Sequence, residues 1–259
     1  MDKFKLLSIE RRGHTAVVTM LGEKVNALTT ELLTELYDAF AYIETDREMW
    51  AVVLCSGRKL FAAGADLRAL ISEGCEANMA SSEFLQRTFL KIENFPHPVI
   101  AAVNGVAYGG GLELALCCDI RVFDMSTKIA FPECGLGIIP GAGGTQRLTR
   151  LVGPGKTKRL IYTGEVILAP EAYSLGICEY FAEDESSLEK ALAVAESICS
   201  KAPLAIAESK KCIAFAGEHD LEEGLCFERR AGSSLFDSYD KNEGITAFFE
   251  KRRPIFRNE

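Results

Sequence analysis

The chain has 259 residues, 48% of them hydrophobic and 25% charged, with a formal net charge of −8 at neutral pH. This length and apolar fraction supply a substantial core in a globular protein, and the acidic balance speaks against a general nucleic-acid or anionic-membrane surface. The nine cysteines lie scattered through apolar segments with no C-x-x-C spacing, and are read as reduced, mostly buried thiols of a cytoplasm-like compartment rather than a disulfide or zinc framework.

The opening MDKFKLLSIERR has too short an apolar stretch for a signal peptide, and its acids disfavour a transit peptide. Two strands, Leu6–Ile9 and Ala16–Met20, are expected as a hairpin about Arg12-Gly13-His14. Residues 29–44 carry apolar side chains at helical spacing behind Thr29 or Thr30 as N-cap, with Glu31 in the first turn. A strand at 51–55 and a polar, helix-prone stretch at 66–94 follow. Next come the strand PVIAAV (98–103), a glycine segment, a helix over about 112–119 and the strand IRVF. The uncharged run from Pro98 to Leu112 is too short and glycine-rich to span a bilayer, so a soluble, cytoplasmic protein is expected. Strands that are apolar throughout, alternating with helices, imply an α/β fold whose sheet is covered on both faces. After a strand-like Glu179–Ala182 only helical periodicity remains, at 186–200, 203–216, 220–236 and 240–252, with Pro203 opening one helix and Gly217 closing it.

Glycine-rich turns before helices bind anions, but the nucleotide patterns fail here. G-x-G-x-x-G breaks at Leu114 in 109–114 and at Pro140 in 135–140; the Walker pattern suggested by GPGKT at 153–157 needs a glycine where Arg150 stands. No G-x-S-x-G elbow occurs, and His14, His97 and His219 are read as surface or packing residues.

Two acids stand out. Glu113 sits in GGGLELALCC, on a helix apolar nearly all round, where a buried carboxylate needs a partner, a metal, a raised pKa or a task. It is either an acid complementing the helix dipole or a catalytic carboxylate beside backbone N–H groups that face a developing negative charge. Glu133, in FPECGLGIIPGAGGTQRL, follows a proline among apolar residues and leads into more glycine-rich backbone; alone it reads as a loop acid. Together the two fit a general acid/base pair. A third stretch, LFAAGADL at 60–67, can bring another backbone N–H to the same place, or be a tight strand-to-helix turn capped by Asp66. Cys117 and Cys118, on the apolar helix, are expected to be structural.

NAL at 26–28, FAAGADL, PVIAAVNGVAYGGGLELALCCDIRV, PECGLGIIPGAGGTQRL and the terminal FFEKRRPIF, in this order and spacing, resemble the crotonase superfamily, and within it the enoyl-CoA hydratases. The resemblance covers nearly the whole chain. It implies the crotonase spiral of ββα turns over residues 1–195 and a helical trimerisation region over 196–259, assembled as a homotrimer or a dimer of trimers. The activity implied is reversible syn hydration of a 2-trans-enoyl-CoA to a 3-hydroxyacyl-CoA, with no metal or redox cofactor. The N–H groups of Ala65 and Gly110 are implied as the oxyanion hole, Glu113 as the base that activates water for attack on C3, and Glu133 as the donor of a proton to C2. Lys24, Ala63, Asp66 and Leu67 are implied along the coenzyme A path, Pro132 and Gly141 beside the acyl site, and Lys251 near a coenzyme A phosphate, on a neighbouring subunit if not its own. The chain departs from the family pattern in lacking an arginine-proline before NAL and in placing Phe131 where glutamine is frequent. A Δ3-Δ2-enoyl-CoA isomerase and a non-enzymatic scaffold, RNA-binding or otherwise, are the alternatives. Retention of both acids favours hydration, and the acyl chain is not legible from residues 68–95.

Overall fold

The computed structural model describes residues 4–71 and 73–259. The chain opens on an antiparallel hairpin, β1 (Leu7–Arg12) and β2 (Thr15–Met20), which turns at Gly13 with φ +59°. Helix α1 (Thr30–Ile43) has Thr29 as N-cap, its hydroxyl accepting from Leu32 N–H. Then come β3 (Ala51–Ser56), the single turn α2 (Leu67–Leu70), α3 (Cys75–Glu93), β4 (Val99–Val103), β5 (Val106–Tyr108), α4 (Gly110–Leu116), β6 (Ile120–Asp124) and β7 (Lys128–Ala130). A 3-10 helix (Glu133–Leu136), α5 (Gly144–Val152), α6 (Pro154–Thr163), β8 (Ile167–Leu168), α7 (Ala169–Leu175) and β9 (Tyr180–Ala182) complete the α/β part. Four helices follow: α8 (Ser187–Cys199), α9 (Pro203–Ala216), α10 (Leu221–Ser234) and, after a short 3-10 turn, α11 (Tyr239–Glu250).

One sheet has the order β1-β2-β3-β4-β6-β9, parallel from β2 onward, and a small second sheet has the order β5-β7-β8. Because side chains alternate across a strand, the two faces of the large sheet feed two cores. Val52 and Leu54 of β3 and Val99, Ala101 and Val103 of β4 pack with Leu36, Phe40, Phe89 and Ile92 of α1 and α3. Val53, Cys55, Ile100 and Ala102, on the opposite face, pack with Ala191 and Ala195 of α8. The sheet is thus buried on both sides, as continuous apolar strands require.

The path between the two sheets is what assembles the site. After β3 the chain makes a bridge at Ala62 with Ala107 of β5, then enters α2. After β4 it forms β5, then α4; after β6 it forms β7, then the 3-10 helix. Each turn therefore runs from the large sheet to the small one and into a helix, and the strand-to-helix junctions of successive turns lie side by side. Tyr108 N–H donates to the Ala62 carbonyl at 3.2 Å, and Gly109 N–H to the Ala130 carbonyl at 2.9 Å.

The small second sheet, α5, α6 and α7 have no counterpart in the sequence reading; strands of two or three residues are too short to show a period. Helix α4 begins at Gly110 and ends at Leu116, earlier at both ends than the expected 112–119, so the last two of the three glycines are helical. The thiols are less buried than expected: Cys55, Cys117, Cys118 and Cys178 are buried, but Cys75 and Cys134 are exposed and Cys199, Cys212 and Cys226 intermediate. His14 stacks on Trp50 and His219 on Phe215, each with ring centroids 3.6 Å apart.

Candidate active site

Glycine makes the junction of the three turns possible. A Cβ on Gly111 would stand 2.1 Å from the Ala62 carbonyl oxygen, and one on Gly64, whose φ is +98°, would stand 2.9 Å from the Tyr108 oxygen and 3.4 Å from Gly110 N. Backbone thus packs directly on backbone, which only glycine permits. The Leu28 N–H to Gly64 carbonyl bond of 2.9 Å ties this stretch to the segment before α1, and a Cβ on Gly110 would lie 3.7 Å from Ala65 N. Gly110 is the first residue of α4, so its N–H has no acceptor within the helix. Ala65 and Gly110 are thereby brought together.

Glu113 projects from the first turn of α4 and is only 2% exposed. Its Oε1 accepts two backbone N–H groups from another segment, Ala142 at 2.8 Å and Gly144 at 2.7 Å. The carboxylate therefore faces the glycine loop ahead of α5, beyond the reach of a simple dipole role. Its pKa is raised, chiefly by burial, and the Gly144 and Ala142 N–H groups and the Arg147 cation offset only part of that rise. Phe131 takes part here: its ring lies against Gly144, where a Cβ would stand 2.7 Å from the ring and 3.0 Å from Glu113 Oε1. The residue at the family's frequent glutamine position thus walls the carboxylate with an apolar face.

Glu133 opens the 3-10 helix and is 8% exposed. It meets the glycine run at Gly109, whose φ is +50° and where a Cβ would stand 2.4 Å from Glu133 Oε1. Its Oε2 is a buried oxygen with no hydrogen-bond partner among the described residues. Burial raises its pKa, its own backbone N–H lowers it, and the nearby Glu113 raises it again, with the result at about 7.

Of the other sequence-derived positions, Asp66 caps α2, accepting from Arg68 N–H at 3.0 Å, and Leu67 begins that helix with half its surface exposed. Ala63 N–H donates to the Val25 carbonyl at 3.0 Å, which ties the loop carrying Lys24 to the 62–66 junction. Pro132 precedes Glu133 and is exposed; the Gly141 carbonyl accepts from Gln86 Nε2 of α3 at 2.7 Å. Lys251 stands apart as the left-handed C-cap of α11, with φ +56°. Ala142, Gly144 and Arg147 escape the sequence reading as site residues. Their signal is the run GAGGTQR, where small residues free the backbone to hold a carboxylate and an arginine follows one helical turn later.

The family profile described as Enoyl-CoA hydratase/isomerase matches residues 10–259. The chain belongs to that family. It is 41% identical over 251 residues to the short-chain-enoyl-CoA hydratase of Clostridium acetobutylicum, covering 95% of each chain. It is 38% identical over 255 residues to the crotonyl-CoA hydratase of Syntrophomonas wolfei, covering 98% of each. The crystal structure of an enoyl-CoA hydratase from Bacillus anthracis superposes with a TM-score of 0.95 at 37% identity, over 98% of this chain and all of that one. The expected crotonase fold, an α/β spiral followed by helices, is therefore the fold of this chain. No described helix is long and apolar enough to cross a membrane.

Proposed function

We propose that this enoyl-CoA hydratase/isomerase family member catalyses the reversible syn hydration of a 2-trans-enoyl-CoA to a 3-hydroxyacyl-CoA. The observation that carries the reading is the pair of buried carboxylates on one glycine backbone, with their proton affinities set by different surroundings. Burial raises the pKa of both: at Glu113 two N–H groups and a neighbouring cation oppose that rise, whereas Glu133, with one oxygen unpartnered, is raised to about 7. Such a pair, close enough for Glu113 to raise the Glu133 pKa, supplies a base and an acid near neutral pH.

In the proposed reaction the N–H groups of Ala65 and Gly110 hold the thioester oxygen, with Gly110 at the positive end of α4. Glu113 takes a proton from water as its oxygen bonds to C3, the C2–C3 π pair moves into the thioester to form the enolate, and Glu133 gives its proton to C2 on the same face. Proton exchange between the acids, through solvent, restores the starting state. Lys24, Ala63, Asp66 and Leu67 border coenzyme A, and Pro132 and Gly141 border the acyl group. The chemistry asks for no metal or redox group.

The finer assembly is also proposed. Helices α9 to α11 expose Ile213, Leu221, Phe248 and Phe249 at 75–79%, and copies of the chain are proposed to pack there as a trimer or a dimer of trimers, in the cytoplasm. Lys251, on α11, would then reach a coenzyme A phosphate of a neighbouring copy.

Ultraviolet absorbance of crotonyl-CoA tests the function. Purified protein should bleach the conjugated enoyl band as 3-hydroxybutyryl-CoA forms. An unchanged band, with conjugation appearing instead from a 3-enoyl-CoA, selects the isomerase.

A further inference from the structure

Arg147 lies one turn into α5 and makes three kinds of contact. Its Nε and Nη2 grip Glu93 of α3 in a fork, with Nε at 3.1 and 3.2 Å from the two carboxylate oxygens and Nη2 at 2.6 Å from Oε2. Its Nη1 donates to the Ala142 carbonyl at 2.8 Å. The guanidinium fills the space over Gly143, where φ is +111° and a Cβ would stand 2.1 Å from Nη1. Its side chain is mostly buried, 15% exposed. The residue whose carbonyl it holds, Ala142, supplies one of the two N–H groups on Glu113 Oε1, and Gly144 on the other side of Gly143 supplies the other. The segment 142–144 is thus a clip closed from both sides: its N–H groups hold the carboxylate, and its carbonyl is held by a cation anchored on α3. A planar fork suits this task because it serves an ion pair and a carbonyl at once, which an ammonium does with less geometric definition.

We propose that Arg147, anchored by Glu93, is a positioning residue for hydration: it fixes the 142–144 clip, and through it the orientation and charge of Glu113. The inference rests on the hydratase reading for its kinetic consequences but not for its structural ones. Charged and titratable groups around Glu113 are Arg147 on α5 and Glu133 on the 3-10 helix, with Glu93 of α3 behind Arg147 and, past the end of α4, Cys118 and Cys117, whose thiol is pushed well up, chiefly by burial. Helix α4 also packs on α5 and β5, and β5 brings Tyr108 as its titratable side chain. Arg147 is the cation of this set. Removing it must raise the Glu113 pKa, since a nearby positive charge favours the ionised form.

The test uses Arg147→Met, Arg147→Lys and Glu93→Gln in the full chain, with wild type beside them. The first readout is independent of catalysis: carbon-13 titration of labelled glutamate, with the Glu113 signal assigned by its loss in Glu113→Gln. Arg147→Met should move that titration to higher pH, and Arg147→Lys should bring it most of the way back. The second readout is kinetic. Arg147→Met should lower kcat by about tenfold to a hundredfold with KM little changed, and its acid limb should move to higher pH with the Glu113 titration. Arg147→Lys should recover the limb but only part of kcat, and Glu93→Gln, which keeps the cation but loses its anchor, should lose kcat with little movement of the limb. A Glu113 titration that does not move in Arg147→Met overturns the inference, as does full activity in both Arg147→Met and Glu93→Gln. Should Arg147→Met fail to fold, Arg147→Lys and Glu93→Gln decide by the same kinetic split. A wild-type protein that shows the titration contrast but hydrates no enoyl-CoA overturns the hydratase reading and leaves the clip standing.

Discussion

Glu133 carries a consequence for stability as well as for chemistry. Its pKa is raised from an ordinary 4.5 to about 7, first by burial, so the folded state holds a proton that the unfolded chain releases earlier. Folding is then favoured by this group fully below about 4.5, and that contribution is lost as pH rises to about 7. Glutamine in its place keeps the neutral shape at every pH. Denaturant titrations of wild type and Glu133→Gln at pH 5 and pH 8, at one protein concentration, should show the variant gaining relative stability at pH 8. Equal gaps at the two values would mean that the carboxyl is not held neutral by the fold. The two acids were legible in the sequence because each stands alone in apolar, glycine-rich surroundings, where an ionised side chain needs a reason. The partners of Glu113 were not, because they are backbone N–H groups, which carry no residue signature, in a segment 29 to 31 residues away.

At the scale of elements, the close approach of α4 to the 62–66 junction depends on Gly111. Alanine there would drive its Cβ into Ala62, whose carbonyl oxygen, carbonyl carbon and Cβ would stand at 2.1, 2.8 and 2.9 Å, none of them a flexible end that can swing aside. The expected loss is about 1–3 kcal/mol, as for overpacking elsewhere, with the proposed oxyanion hole displaced besides. Gly135→Ala serves as the control: its Cβ would meet nothing within 4 Å, so its stability should stay within about 0.5 kcal/mol of wild type. Chemical denaturation of the pair measures both, and a harmless Gly111→Ala would contradict the close packing. The long elements were readable: α1 with its Thr29 cap, α9 from Pro203 to Ala216, and the apolar strands β3 and β4 all follow from periodicity, caps and breakers. The short second sheet was not, because pairing with β7 rather than any local pattern makes Val106–Tyr108 a strand.

For the whole molecule, the C-terminal helices leave several large apolar side chains exposed. Phe236, Phe248 and Phe249 are 68–76% exposed, and a cavity of about 340 Å³ lined by Leu204, Leu235, Phe236, Ile245 and Phe256 opens among α9, α10 and α11, away from the two glutamates. Exposed apolar side chains gathered on one set of helices are what the proposed association of copies would cover. If copies meet there, Phe248→Glu should shift sedimentation velocity from a trimer or hexamer toward monomer; a wild-type monomer, or an unmoved assembly in the variant, would remove the proposed interface. Periodicity alone reached an α/β fold with a helical tail; the spiral was legible only through the family resemblance carried by motifs such as GAD, GGGLE and PECG.

The central claim is that Glu113 and Glu133 act together on water and on C2, and one assay reaches it most directly. Wild type, Glu113→Gln and Glu133→Gln are each given crotonyl-CoA in oxygen-18 water, and the 3-hydroxyacyl product is followed by mass spectrometry, with acyl-CoA binding checked separately. The account predicts labelled 3-hydroxybutyryl-CoA from wild type and a loss of at least about a hundredfold in its rate of formation in each variant, with binding retained. Near wild-type labelling by either variant would contradict it.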